Sequence, residues 1–421
     1  MPFYALYALL FAAHGLNTSQ ISVLLGIWSA TAFVLEIPSG AWADTVSRRG
    51  LLILSAILLA AGFAVWTVFP TFLGFAVGFV LWGTSSSLRS GTFEALLYDD
   101  LAERNATAAY SRVMGYTRAA AESAALLGIL AAAPLYAWGG YSLIGWSSVA
   151  IAVVHTLAAM ALPSAPKRVS SSDVEELEDA EDLEADAQET GSGDPEIFTP
   201  TGESARLLAR YGDMLRVGLR EALRVRVIRR GVVLVALLNG ITAFDEYFAL
   251  LADDAGVSPP VTAVLVGVTV AGALAGATLA GRTESIRART MALALGVGGL
   301  LFIGGALLAG MSATHPQSMY LLTAVGFSAI GIAYGIDYNA DVIASARLQD
   351  AIAGPARATV TSVSGFVSEV IALAVFAFVA VVSLWLPIPT VVALLGVPLL
   401  ATAVLIPAWL PSRVLSEPVR K

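Results

Sequence analysis

Apolar residues run through this chain in blocks of about 20, the length of α-helix that crosses a ~30 Å hydrocarbon layer, and short polar turns separate them. The blocks predict helices near 19–42, 51–69, 71–97, 108–136, 142–162, 230–251, 260–280, 290–311, 317–343, 358–384 and 388–409, with a short one at the start, twelve in all. The first apolar run, Pro2 to Ala13, would rise only about 18 Å at ~1.5 Å per residue, too little to span alone. No basic leader or small-residue cleavage site accompanies it, so a removable signal peptide is not expected. The reading adopted is that cytoplasmic residues precede Met1; an abnormally short first helix is the alternative.

Composition narrows the class. With 57% hydrophobic residues, 13% charged and a mean hydropathy of +0.77, the chain exceeds what a water-soluble core hides, and an all-α integral membrane protein is expected. Arginine and lysine are missing from the expected outer turns (His14 to Gln20, Phe69 to Thr71, Tyr136 to Tyr141, Ala252 to Pro260, Ser312 to Gln317 and Leu384 to Thr390). They collect in the others, at Arg48, Arg49, Arg104, Arg112, Arg282, Arg287, Arg289, Arg347 and Arg357. By the positive-inside rule both termini are cytoplasmic, in keeping with an even helix count. With no cysteine, disulfides and thiolate chemistry are excluded. Arg far outnumbers Lys and Ala and Val abound, which suggests a GC-rich bacterial gene and a bacterial cytoplasmic membrane.

Residues 164–229 divide the chain into a bundle at 1–163 and a second at 230–411, followed by a tail at 412–421. Ser170 to Glu203 is Ser-rich and crowded with acids, a solvated linker that cannot bury enough apolar surface to order itself. It also holds most of the net charge of −8. From Ala205 to Arg230 eight arginines alternate with leucines at helical spacing, which predicts a basic amphipathic helix lying against anionic headgroups.

Ionisable residues inside spanning helices cost ~2.5–3.5 kcal/mol each on insertion scales and call for a reason. The candidates for proton coupling or a substrate cavity are Glu36, Arg89, Glu94, Glu122, Asp245, Glu246, Asp337, Asn339, Asp341 and Glu369, with Arg118 nearby. On one continuous helix Arg89 and Glu94 would point some 140° apart, toward different neighbours. Asp245 and Glu246 are adjacent acids in an apolar stretch, and a carboxyl so placed can bind and release a proton; alternatively one faces water and the other pairs with an arginine. Asp337 and Asp341, four apart, share a helix face, and Tyr338 and Asn339 add hydrogen-bonding capacity suited to a cavity wall.

Between two of the apolar blocks the chain reads GAWADTVSRRG, Gly40 to Gly50, preceded by Glu36-Ile37-Pro38. This resembles GxLADrxGRR, the signature between helices 2 and 3 of the major facilitator superfamily. Gly40, Ala43, Asp44, Arg48 and Arg49 match, while Trp42 stands for Leu and Ser47 for the second Gly. The resemblance implies two pseudo-symmetric six-helix bundles joined by a central cytoplasmic loop. It also implies a conformational gate in which Asp44 latches the halves near the start of helix 11 and Arg48 and Arg49 anchor to lipid phosphate or neighbouring carboxylates. Capping of helix 3 by Asp44 is the plainer alternative. GRTESIRAR, Gly281 to Arg289, reads as a decayed second copy. SGTFEALLYDD on helix 4 is similar to the family's SGxxEAlxyD, whose helix 4 arginine belongs to the proton apparatus; a structural bridge from Arg89 to Glu36 or Glu122 is equally open. Arg357-Ala358-Thr359 with Ser362 resembles the family's RATvlS, with Glu369 about two turns deeper.

The function implied is alternating-access secondary transport, with proton-coupled export of amphiphilic compounds as the primary reading. The helix 5 antiporter signature is echoed only in part, by Gly128, Pro134 and Gly139-Gly140. A proton symporter importing a polar metabolite is the alternative, as is a receptor or lipid-handling protein on the same fold. Partners expected are a small-molecule substrate, protons and membrane lipids including anionic headgroups, with the chain a monomer and no nucleic acid involved. No GxxxxGK[ST] segment occurs, so ATP is not the expected energy source, and no cofactor, metal or catalytic centre is expected.

Overall fold

The computed structural model describes residues 1–164, 225–352 and 357–411. The acidic linker, most of the basic amphipathic stretch and the tail from 412 lie outside the described residues. So do the side chains of Asp44, Arg118, Arg357, Thr359 and Ser362, and with Asp44 the latch reading.

Among the described residues every regular element is helical, because lipid leaves each backbone group to find its partner within its own segment. A single 3-10 turn, Pro2–Ala5, leads into α1, Tyr7–Ala13. α2, Thr18–Thr45, starts at a reciprocal cap: Gln20 N–H donates to Asn17 Oδ1 (2.9 Å) and Asn17 N–H to Gln20 Oε1 (3.0 Å). α3, Arg48–Val68, begins at Ser47, whose Oγ accepts from Gly50 N–H. The signature segment is therefore not a loop. Gly40 to Thr45 continue α2, and two residues, Val46 and Ser47, make the connection.

The expected helix 71–97 is two helices, α4 (Phe72–Arg89) and α5 (Thr92–Glu103). Gly91 between them has φ 64°, a left-handed conformation that glycine adopts without a Cβ penalty. The wheel arithmetic for Arg89 and Glu94 fails for this reason: the helix turns a corner between them.

α6, Tyr110–Ala161, covers the two helices expected at 108–136 and 142–162 and reverses direction at Gly139 and Gly140, both with non-helical backbone angles. Packing shows the hairpin. Gly128 before the turn lies against Met1, and Ser148 after it accepts a hydrogen bond from Phe3 N–H at 3.1 Å.

The second half comprises α7 (Arg226–Ile241), a 3-10 turn Thr242–Tyr247, α8 (Phe248–Asp254), α9 (Pro259–Thr283), α10 (Ala288–Met311), α11 (Met319–Ala351), α12 (Arg357–Val382) and α13 (Ile388–Trp409). The 3-10 turn interrupts what the sequence reads as one helix at 230–251. α9 and α11 approach closely because glycines face each other, Gly272 against Gly331 and Gly276 against Gly335. Nine helical stretches among the described residues are long and apolar enough to cross a membrane, and the hairpin α6 counts as one of them.

The halves meet where α2 packs on α12, where α6 packs on α9, and where the first 3-10 turn and α1 meet α8 and α9. In the first half, Phe3, Tyr7, Phe11, Phe63, Trp66 and Phe79 form a continuous aromatic core, and Trp66 Nε1–H donates to the Phe75 carbonyl at 3.0 Å.

Candidate functional site

About midway along α2 and α12, an open cavity of about 250 Å3 lies between the halves. α2 supplies Trp28, Ser29 and Ala32; α7 and its 3-10 turn supply Asn239, Thr242, Asp245 and Glu246; α12 supplies Ser368, Glu369 and Phe376; Tyr4 comes from the first turn. The interrupted helix positions the acids. A 3-10 turn inside a longer helix reorients successive side chains relative to an α-helix, and here both adjacent carboxyls reach the cavity.

Hydroxyls hold these carboxyls, and most come from the other half. Tyr4 OH donates to Asp245 Oδ2 at 3.3 Å and Tyr334 OH to the same oxygen at 2.8 Å. Tyr7 OH donates to Glu246 Oε2. Ser29 Oγ donates to Glu369 Oε2 at 2.9 Å. Nearer the arginine-poor ends, Tyr247 OH donates to Ser22 Oγ at 3.0 Å. Where the alternative reading put an arginine on one acid of the pair, the structure has tyrosines on both. Among the described residues lining the cavity there is no Lys, Arg or His.

Seven of the ten candidates lie elsewhere. Glu36 Oε1 accepts from Ser90 Oγ at 2.8 Å, and among the described residues Arg89 forms no ion pair, so neither proposed bridge is present. Glu122 and Arg89 are exposed. Glu94 opens α5 and is half-buried. Asn339 is not a cavity wall; its Nδ2 donates to the Gly276 carbonyl (2.9 Å) and Thr283 Oγ1 (2.9 Å), clamping α11 to α9. Asp337 is fully buried, with no hydrogen-bond partner on either carboxyl oxygen, and Asp341 Oδ1 likewise has none. Neither lines the cavity.

At the signature segment Arg48 is 3% exposed and its Nη1 lies 2.6 Å from Asp99 Oδ2 and 3.1 Å from the Ala95 carbonyl. It ties the start of α3 to α5 within one half and does not reach lipid phosphate. Arg49 Nη2 donates to the Met160 carbonyl. The cap of α3 is Ser47. Across the pseudo-symmetry the wiring is inverted. Arg347 near the end of α11 donates to the carbonyls of Glu284 (2.8 Å) and Ile286 (2.7 Å), within the segment Gly281 to Arg289 that joins α9 to α10.

The sequence reading missed Tyr4, Tyr7, Ser29, Asn239 and Asp99. The first two lie in an apolar run that gives no sign of facing a carboxyl. Asp99 sat in the motif already singled out, and a buried Arg48 needing a counter-charge is the signal that could have found it.

A search among curated proteins finds no match. Among solved structures the chain is similar to the crystal structure of a D-xylose–proton symporter, with a TM-score of 0.60 at 15% identity over 97% of this chain and 92% of that one. The fold is shared; so low an identity carries no more. The family model described as Major Facilitator Superfamily matches residues 1–374. With a match over most of its length and the two-bundle helical fold, this chain belongs to the major facilitator superfamily.

Proposed function

We propose that this member of the superfamily is a proton-coupled secondary transporter that exports small amphiphilic compounds by alternating access, with its arginine-rich face toward the bacterial cytoplasm. The observation that carries the reading is the cavity between the halves, whose acids Asp245, Glu246 and Glu369 receive hydroxyl donors from the opposite half. A carboxyl held this way can take up a proton, and the resulting loss of charge weakens the bonds that join the halves. Proton uptake and rearrangement are then one event. Arg48 and Asp99 stiffen the first half so that it moves as a body, and Asp337 is a second place for a proton.

Everted vesicles energised by respiration test this. Export by antiport predicts substrate-induced alkalinisation of the lumen, with Asp245→Asn or Glu246→Gln losing proton-driven exchange while counterflow persists. Unchanged exchange in both variants removes these acids from the mechanism.

A second reading is import of a polar solute by proton symport. It is supported by the polar lining from Ser29, Asn239, Thr242 and Ser368, and by the fold shared with a D-xylose–proton symporter. Accumulation only in right-side-out vesicles selects it. Tight proteoliposomes that move nothing across a broad panel select a receptor or lipid-handling role.

A further inference from the structure

The cavity has a sharper chemical identity than a general amphiphile site. Three carboxyls open into it, and among the described residues lining it no basic side chain offsets them. Arg89, the exposed arginine at the end of α4, does not line it. Hydroxyl donors orient the carboxyls but bring no positive charge.

Two further observations point to what fits. Trp28 lines the cavity, and its Nε1 is buried without a hydrogen-bond partner, a donor that an acceptor on a bound molecule would satisfy. Aromatic rings, Trp28 on α2 and Phe376 on α12, border the same space, and ring faces attract organic cations. At about 250 Å3 the cavity falls just below the ~300–1,000 Å3 of drug-sized sites, so the fitting molecule is small.

We propose that the cavity binds a small organic cation that also carries a hydrogen-bond acceptor, the cation seated among Glu369, Asp245 and Glu246 and the acceptor toward Trp28. Anions are disfavoured by the same lining, in which like charge meets like with no basic side chain among the described residues. This rests on the transport reading for its biological direction, but the site stands or falls by binding alone.

The test uses a matched pair of probes, acetylcholine and 3,3-dimethylbutyl acetate, which share shape and ester and differ by a quaternary nitrogen in place of a quaternary carbon. Each is titrated calorimetrically into the purified full-length chain in nanodiscs at pH 8. The expected result is at least tenfold tighter binding of the cation. Glu369→Gln should lower the cation's affinity at least tenfold and leave the neutral ester unaffected, while Glu122→Gln, outside the cavity, changes neither. Trp28→Phe should weaken both probes, since both carry the acceptor. A melting temperature for each variant separates lost binding from lost folding.

Equal binding of the two probes, no binding of the cation into the millimolar range, or tighter binding of D-xylose than of acetylcholine would each overturn the proposal. Carboxylate-dependent cation binding without proton movement in vesicles leaves this site standing and removes the transport reading. Proton-driven movement of a neutral or anionic solute does the reverse.

Discussion

Arg48 Nη1 sits 2.6 Å from Asp99 Oδ2 with both side chains sealed from solvent, so the most recognisable arginine of the signature segment is an internal brace. Removing one partner leaves the other charge buried and uncompensated. Arg48→Ala should destabilise the chain by about 3–5 kcal/mol, seen as a lowered melting temperature in detergent. The double variant Arg48→Met with Asp99→Leu should recover most of the loss, because an apolar pair carries no desolvation cost. A double variant no more stable than Arg48→Ala would mean that the charges do more than brace.

Where α9 meets α11, a methyl group on Gly276 would run into the carbonyl of Gly335, and backbone cannot move aside as a side chain can. Gly276→Ala should cost about 1–3 kcal/mol through overpacking. Gly281, at the end of the same helix, has nothing within 4 Å of the added Cβ, and Gly281→Ala should leave the melting temperature within the ~0.5 kcal/mol expected of a surface change.

Gly91 fixes the corner between α4 and α5 with φ 64°. Gly91→Ala forces a Cβ into left-handed backbone at a cost of about 1–2 kcal/mol, while Gly91→Asn should cost less because asparagine tolerates that region. Matched thermal melts of the two variants check the order.

Tyr247 and Ser22 join the halves near the arginine-poor ends, and a neutral hydrogen bond contributes about 0.5–1.5 kcal/mol net. Tyr247→Phe should therefore raise the population opened on that side by about two- to tenfold. The chain has no cysteine, so a single cysteine at the buried position Ala252 reports the opening against no background. Its maleimide labelling rate should rise by the same factor; an unchanged rate assigns this bond no part in closure.

Asp337 is buried with neither carboxyl oxygen partnered, and asparagine copies its shape. Asp337→Asn should fold and bind as the parent does yet lose accumulation driven by a pH gradient while keeping counterflow. Undiminished accumulation would remove Asp337 from coupling.

What the sequence could reveal follows from what leaves a one-dimensional trace. Spans such as 388–409 coincide with α13 because lipid imposes length and apolarity on every span. The acids Asp245, Glu246 and Glu369 stood out because charge is rare in such segments, and these three meet at the cavity. Their neighbours did not stand out. Tyr4, Tyr7 and Ser29 are ordinary residues in apolar stretches, and only the meeting of the first turn, α1 and α2 with the turn at Thr242–Tyr247 and α12 in space makes them donors. Breaks were equally hidden: Gly91 and the 3-10 turn at Thr242–Tyr247 interrupt stretches whose length and mean apolarity read as single helices. Asn339 turns to a helix interface, its Nδ2 donating to the Gly276 carbonyl, because Gly331 and Gly335 draw α11 onto α9.

Among the described residues, hydroxyl groups close the seam between the halves, whereas the arginine bridge lies inside one half. Hydroxyl bonds can be handed to incoming water molecules one at a time, with no pair of opposite charges to pull apart. Two arrangements of the molecule can then lie only a few kcal/mol apart, a gap that ~5.5 kcal/mol of differential binding would invert from 1:99 to 99:1. In the transport proposed above, a bound cargo or a captured proton then only has to tip that balance.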